Sequence, residues 1–194
     1  MGSIICLMGK SSTGKDTIYK RLLEDNPYSL KRIVPYTTRP IRIGEEEGVE
    51  YHFTDETGYL ALQAGGKIIE ARAYHTYHGI WRYFTVDDGQ ITEEDHYLII
   101  GTLEAYAQMK RYFGREKMIP LLIELDDGVR LQRALDRERS QQNPRYEEMC
   151  RRFLADSEDF AEGKIREAGI DRRFVNDDLD RCLEEIKCYL GERL

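Results

Sequence analysis

The 194-residue chain has no CxxC pair, no surplus of positive charge and no apolar run that approaches a membrane span. The spacing of its four cysteines, Cys6, Cys150, Cys182 and Cys188, excludes the paired-thiolate zinc motifs. Without a secretory leader they read as reduced thiols of a cytoplasmic protein. A formal net charge of −7 excludes a general nucleic-acid binder, whose affinity comes from a basic face. The apolar start "SIICLM" is far shorter than the roughly 20 residues of a spanning helix, so no membrane partner is expected. Repeats, low-complexity tracts and linkers are lacking too. The histidines offer no metal pair, because His75 and His78 lie in a stretch that reads as strands and a turn, not as a helix.

What is present is an α/β rhythm. With 41% hydrophobic and 34% charged residues, the chain is long enough for one well-cored domain with small insertions. Periodicity predicts strands at residues 3–8, 29–38, 51–53, 67–74, 78–86, 96–101, 118–125 and 172–175. It predicts helices at 16–25, 54–66, 103–113, 128–139, 145–168 and 179–190. Such alternation implies a parallel sheet flanked by helices. The expected core is 1–34 and 87–126 with 169–194. A small β-rich insert takes 35–86, and a helical lid with its flanking helices takes 127–168. The aromatics Tyr74, Tyr77, Trp81, Tyr83 and Phe84 read as packing of that insert.

An acidic protein that handles phosphates must concentrate its basic groups locally, and two stretches do so. The first is "GKSSTGKDT", Gly9 to Thr17, between a buried strand and a helix. Gly9, Gly14 and Lys15 have the spacing of a phosphate-binding loop. The amides around Ser11, Ser12, Thr13 and Gly14 would cradle phosphate oxygens at a helix N-terminus. The position after Lys15 normally carries a Ser or Thr whose hydroxyl helps hold Mg²⁺. Here it is Asp16, followed by Thr17. The bland alternative is a Ser/Gly-rich turn with Asp16 as helix cap. The second stretch, "VPYTTRPIRIGEEEGVEYHF", sets Arg39 and Arg42 beside Tyr36 and Tyr51. Arg forks and Tyr hydroxyls suit a phosphate; the alternative is a solvated loop whose arginines pair with the glutamates at 45–47.

That second stretch resembles the monophosphate-binding segment of the guanylate kinases, P-loop nucleoside monophosphate kinases. "KIIEARAYHTYHG" resembles their glutamate-bearing strand and following turn, and "FVNDDLDRCLEEI" is similar to their last strand, Asn-Asp-Asp turn and final helix. The resemblance implies ATP-dependent, Mg²⁺-assisted transfer to a GMP-like acceptor by a monomer or homodimer. Arg39, Arg42 and Tyr51, with Tyr77 or His78, would hold the acceptor phosphate. Glu70 would accept from guanine N1 and the exocyclic amine. Asn176 would lie near the donor adenine or ribose. Arg133, Arg137 and Arg152 would be the lid arginines, Arg133 and Arg137 being four apart on one helix face, with Arg139, Arg145 and Arg151 near enough to take that role; the alternative is a helix surface salt-bridged to Asp136, Glu138, Glu147 and Glu148.

The pattern departs at the base. Pro35 stands where the family has a serine, Ile80 where it has a hydroxyl, and Ile100 and Thr102 where it has an Asp-x-Asp. Each unpaired guanine group costs about 1–3 kcal/mol, so these changes bear on base choice. They leave open a kinase of the same fold for another nucleotide or a small phosphorylated acceptor. A non-catalytic guanylate-kinase-like binding module is a further alternative, though such scaffolds typically have a damaged phosphate loop. The carboxylate missing near Thr102 and the one gained at Asp16 suggest a relocated metal ligand.

Overall fold

Ile4–Met8 (β1) is buried at every position, as a strand covered on both faces requires. It lies at the centre of a five-stranded sheet. The computed structural model describes residues 2–42, 44–76 and 79–194. The helix Lys15–Glu24 (α1) follows β1 and buries Ile18 and Leu22, one turn apart, against the sheet. The other strands of this sheet are Lys31–Arg32 (β2), Tyr97–Ile100 (β7), Met118–Glu124 (β8) and Arg173–Val175 (β9). Their order is β2-β7-β1-β8-β9, and every pairing is parallel.

Between β2 and β7 the chain builds a second sheet from Tyr36–Thr37 (β3), His52–Phe53 (β4), Ile68–Thr76 (β5) and Gly79–Val86 (β6). Its order is β4-β3-β6-β5, with β3 antiparallel to β6 and β6 antiparallel to β5. The helix Glu56–Ala64 (α2), capped by Asp55, packs Tyr59 onto Phe84 and Val86 beneath this sheet. Leu103–Phe113 (α3), capped by Thr102, joins the two sheets. Gln108 on α3 donates to the Ala71 carbonyl and accepts from its amide at 3.1 and 3.0 Å. A side-chain amide thus satisfies the free edge of β5 and fixes the insert to the core.

The remaining helices are Asp127–Arg139 (α4), Tyr146–Asp159 (α5), Glu162–Glu167 (α6) and Leu179–Gly191 (α7). Two expectations need correction. Residues 29–38 form not one strand but two short ones in different sheets, with Pro35 between them. Residues 145–168 form not one helix but α5 and α6. The chain turns at Phe160, which is 8% exposed and anchored in the core cluster below β1. No helix among the described residues is long and apolar enough to cross a membrane. All four cysteines are free; Cys6 and Cys182 are buried. Burial raises the Cys6 thiol to about 12, so it stays protonated and unreactive.

Candidate active site

The parallel strands converge on the turn after β1. Gly9 has φ 156°, and a Cβ there would lie 2.5 Å from the Ile123 carbonyl oxygen of β8. Gly14 has φ 88° and ends the turn as the α1 N-cap; its Cβ would lie 2.3 Å from Asn176 Nδ2. Side chains at these two positions are barred by backbone and close packing, which is why the loop needs glycine. Thr13 is buried and turns inward: its Oγ1 donates to the Lys10 carbonyl at 2.9 Å, and its own carbonyl accepts from Asn176 at 2.7 Å. Asn176 thus braces the loop from beneath. Ser12 adopts φ 63°, and its buried Oγ has no hydrogen-bond partner in the protein. Lys15 makes no ion pair with the described residues. An orphaned hydroxyl and an uncommitted ammonium on a glycine-framed helix N-terminus fit phosphate oxygens.

Asp16 is exposed, as is Thr17. No side chain caps α1, so the capping explanation of Asp16 fails. Its carboxylate opens onto a cavity of about 610 Å³ shared with Arg32, Pro35, Tyr51 and Ile100. It thus stands on the side of the loop that faces the insert. Among the described residues no three His, Cys, Asp or Glu side chains gather into a metal cage. A cation here would be held by one carboxylate, phosphate oxygens and water, a set that suits Mg²⁺.

A second cavity of about 960 Å³ brings the loop, insert and lid together. Its walls include Ser11, Ser12, Arg42, Arg137 and Arg152. Arg133 approaches the loop from the same helix as Arg137, with NH1 3.8 Å from where a Gly14 Cβ would stand. Arg137 is exposed and its guanidinium is unpaired among the described residues. Arg152 donates to Glu148 at 2.7 Å, and Arg151 binds the same carboxylate. Those bonds, Arg151's first, hold the Glu148 carboxyl down at about 2. Arg145 and Arg151 line the cleft as well, adding to its positive field.

In the insert, Arg39 is only 2% exposed. Its two terminal nitrogens donate to Glu45 at 2.9 and 2.8 Å, and its guanidinium lies 5.4 and 5.6 Å from the Tyr51 and Phe53 ring centres. The hydrogen bond from Arg39 keeps the Glu45 carboxyl below the ordinary range. The expected loop pairing is therefore real for Arg39, but the pair is sunk into the insert, not solvated. Arg39 Nε is buried without a partner, and Arg42 reaches the cleft. A phosphate that displaced Glu45 would meet a planar fork already positioned. Glu70 is 1% exposed and accepts from Thr85 Oγ1 at 2.9 Å and Arg72 Nε at 3.1 Å. The Thr102 hydroxyl oxygen accepts from the Ala105 amide at 3.2 Å and so serves first as the α3 cap. Tyr77 and His78 lie outside the described residues.

Sequence reasoning missed three residues. Arg130 is fully buried behind the loop. It donates to the Ser11 carbonyl at 2.9 Å and to Asp156 at 3.0 Å, pairs with Asp127, and lies over the Phe153 ring. Asp156 in turn accepts from the Ser11 amide at 2.7 Å. Helices α4 and α5 thereby grip the loop after β1 by both backbone groups of Ser11. Arg130 precedes Arg133 and Arg137 at i, i+3 and i+7, a spacing that puts it on their helix stripe without telling that it is buried. Arg72, two residues beyond Glu70 on a strand, was findable from the period of two.

The guanylate kinase family model matches residues 1–193. A guanylate kinase of Symbiobacterium thermophilum is 30% identical over 191 residues, covering 97% of this chain and 84% of that protein. One from Vibrio cholerae is 34% identical over 93 residues, 45% of each protein, so over that match the chain spans just under half of the relative's length. The crystal structure of guanylate kinase from Anaplasma phagocytophilum superposes with a TM-score of 0.68 at 21% identity, covering 100% of this chain and 87% of that one. That likeness shows the fold: a parallel core sheet with a small mixed sheet beside it. A family model that matches residues 1–193 and a relative 30% identical over 97% of this chain show that the chain belongs to the guanylate kinase family.

Proposed function

We propose that the protein transfers the γ-phosphoryl group of ATP to GMP, giving ADP and GDP, as a cytoplasmic monomer or homodimer. The observation that carries this reading is the cleft in which Ser11 and Ser12 of the phosphate loop face Arg42 of the insert and Arg137 and Arg152 of the lid. Lys15 and the loop amides would bind the donor phosphates, with Ser12 Oγ as an added donor. Arg39, Arg42 and Tyr51 would bind and orient the acceptor phosphate, Glu45 yielding the Arg39 fork to it. Arg133, Arg137 and Arg152 would spread positive charge over the group in transit. Positioning and charge stabilisation are what such a reaction requires of a protein. The approach of insert and lid across the cleft would exclude water and so limit hydrolysis. Asp16 would hold Mg²⁺, which when bound would supply charge neutralisation at the phosphates.

The test is a steady-state assay with Mg²⁺ and ATP against the four ribonucleoside monophosphates. The expected result is turnover with GMP at the highest kcat/KM. Absence of turnover with every acceptor would overturn the reading. The role of Asp16 has its own check. Asp16→Ser is expected to weaken calorimetric ATP affinity about tenfold in Mg²⁺ and to leave it unchanged in EDTA. Equal Mg²⁺ dependence in the two proteins would remove Asp16 from the metal site.

A further inference from the structure

Glu70 and Arg72 project from the same face of β5, and together they form a rigid polar edge. Arg72 donates to Glu70 through Nε at 3.1 Å and NH2 at 3.4 Å. Thr85 of the adjacent strand β6 fixes the carboxylate from the other side at 2.9 Å. The Tyr51 and Tyr74 phenols adjoin the guanidinium, and the Arg72 side chain is 14% exposed against 1% for Glu70. Gln108 pins the intervening Ala71 by both its backbone groups, so the edge is held in place by α3.

Chemistry says what such an edge complements. The pairing edge of guanine presents an acceptor, O6, then two donors, N1–H and the 2-amino group. Its partner must present a donor and then acceptors, an order that Arg72 and Glu70 offer once an incoming base takes over the bonds they now make to each other. Arg is also the usual partner of guanine O6. Two of the positions where the family carries base-contacting polar groups cannot supply that donor here: Pro35 and Ile80 have none. At a third, Thr102 is tied to the start of α3 by its cap, with one hydroxyl proton left to donate. Adenine would set its N6 amine against Arg72, donor facing donor, and leave a desolvated group unpaired.

We propose that Arg72 is the specificity-determining residue of the acceptor site, donating to guanine O6 while Glu70 takes the two neighbouring donors. This rests on the guanine reading above and adds to it the residue that excludes adenine. A purely structural ion pair would act on all acceptors alike, and that difference is measurable.

The experiment determines kcat and KM for GMP, IMP and AMP in the wild-type protein, Arg72→Ala and Arg72→Lys, with ATP binding by calorimetry as the measure of intact fold. GMP and IMP both carry O6. Arg72→Ala is expected to raise KM for each of them about tenfold or more and to lower KM for AMP, because the donor that faces N6 is gone. Should the alanine variant not fold, Arg72→Lys keeps a cation beside Glu70 and is expected to raise KM for GMP and IMP about threefold or more. A parallel change for all three acceptors, no change, or tighter GMP binding would overturn the proposal. Wild-type protein without GMP turnover would sink the guanine reading and this inference with it. GMP turnover whose preference over AMP ignores Arg72 would sink the inference alone.

Discussion

Arg137→Ala is expected to lower kcat about 10³-fold, roughly 4 kcal/mol of transition-state stabilisation, with little change in KM for ATP. Three facts lead to this. Arg137 lies on the wall of the cleft that also holds Ser11, Ser12 and Arg42. Its guanidinium has no carboxylate partner among the described residues, unlike Arg152 with Glu148. It stands on α4, one turn beyond Arg133, which already reaches the phosphate loop. A cation kept free over a phosphate site gains most when charge builds on the group in transit, so its loss falls on kcat. In the proposed reaction donor binding would rest on Lys15 and the loop amides, which the substitution leaves alone. Arg139, two residues on and outside the cleft lining, serves as the control and is expected to tolerate alanine. A kcat within a few-fold of wild type would remove Arg137 from the transfer step.

Asp156→Ala is expected to destabilise the protein by about 3 kcal/mol in urea unfolding at neutral pH. Arg130 is fully buried, and Asp156 is its shielded partner, 15% exposed against 53% for Asp127. Removing Asp156 leaves a buried guanidinium compensated only from its solvent side and the Ser11 amide without its acceptor. Breaking a buried pair costs far more than replacing it. The double variant Arg130→Met with Asp156→Leu is therefore expected to recover most of the lost stability. Because the pair grips both the amide and the carbonyl of Ser11, the single variant should also weaken ATP binding, and the double variant should not restore that. An Asp156→Ala protein that unfolds at the wild-type urea midpoint would show that the pair contributes nothing.

The sequence displays the core because its signals there agree with one another. The run ending at Met8, the glycine spacing and the apolar period from Ile18 to Leu22 all specify strand, turn and helix in the same order. The 103–113 helix is legible for the same reason, with Thr102 as cap and Gly114 as stop. Residues 29–38 misled because β2 and β3 are two residues each, and nothing local reports that the chain changes sheets at Pro35. The break at Phe160 carries no glycine or proline; burial of that ring in the core overrides helical continuity, and only tertiary structure contains that fact.

The site divides along similar lines. Gly9, Gly14, Lys15 and the Arg39 segment stand out by spacing, since backbone geometry and phosphate chemistry restrict them directly. Arg130 does not, because arginine is a surface residue by default and its burial depends on a carboxylate 26 residues away. The resemblance puts Asn176 near the donor nucleotide, and the structure adds that its amide reaches 2.7 Å to the Thr13 carbonyl and holds the loop. Glu70 stands out in the sequence as a single carboxylate. Its meaning changes once Arg72 is seen beside it.

The most direct test is product stoichiometry by ³¹P NMR with wild-type protein, Mg²⁺, ATP and GMP. The account predicts one GDP formed for each ADP, with inorganic phosphate negligible until GMP is consumed. ATP consumed to ADP and free phosphate without GDP, or no consumption at all, would contradict it.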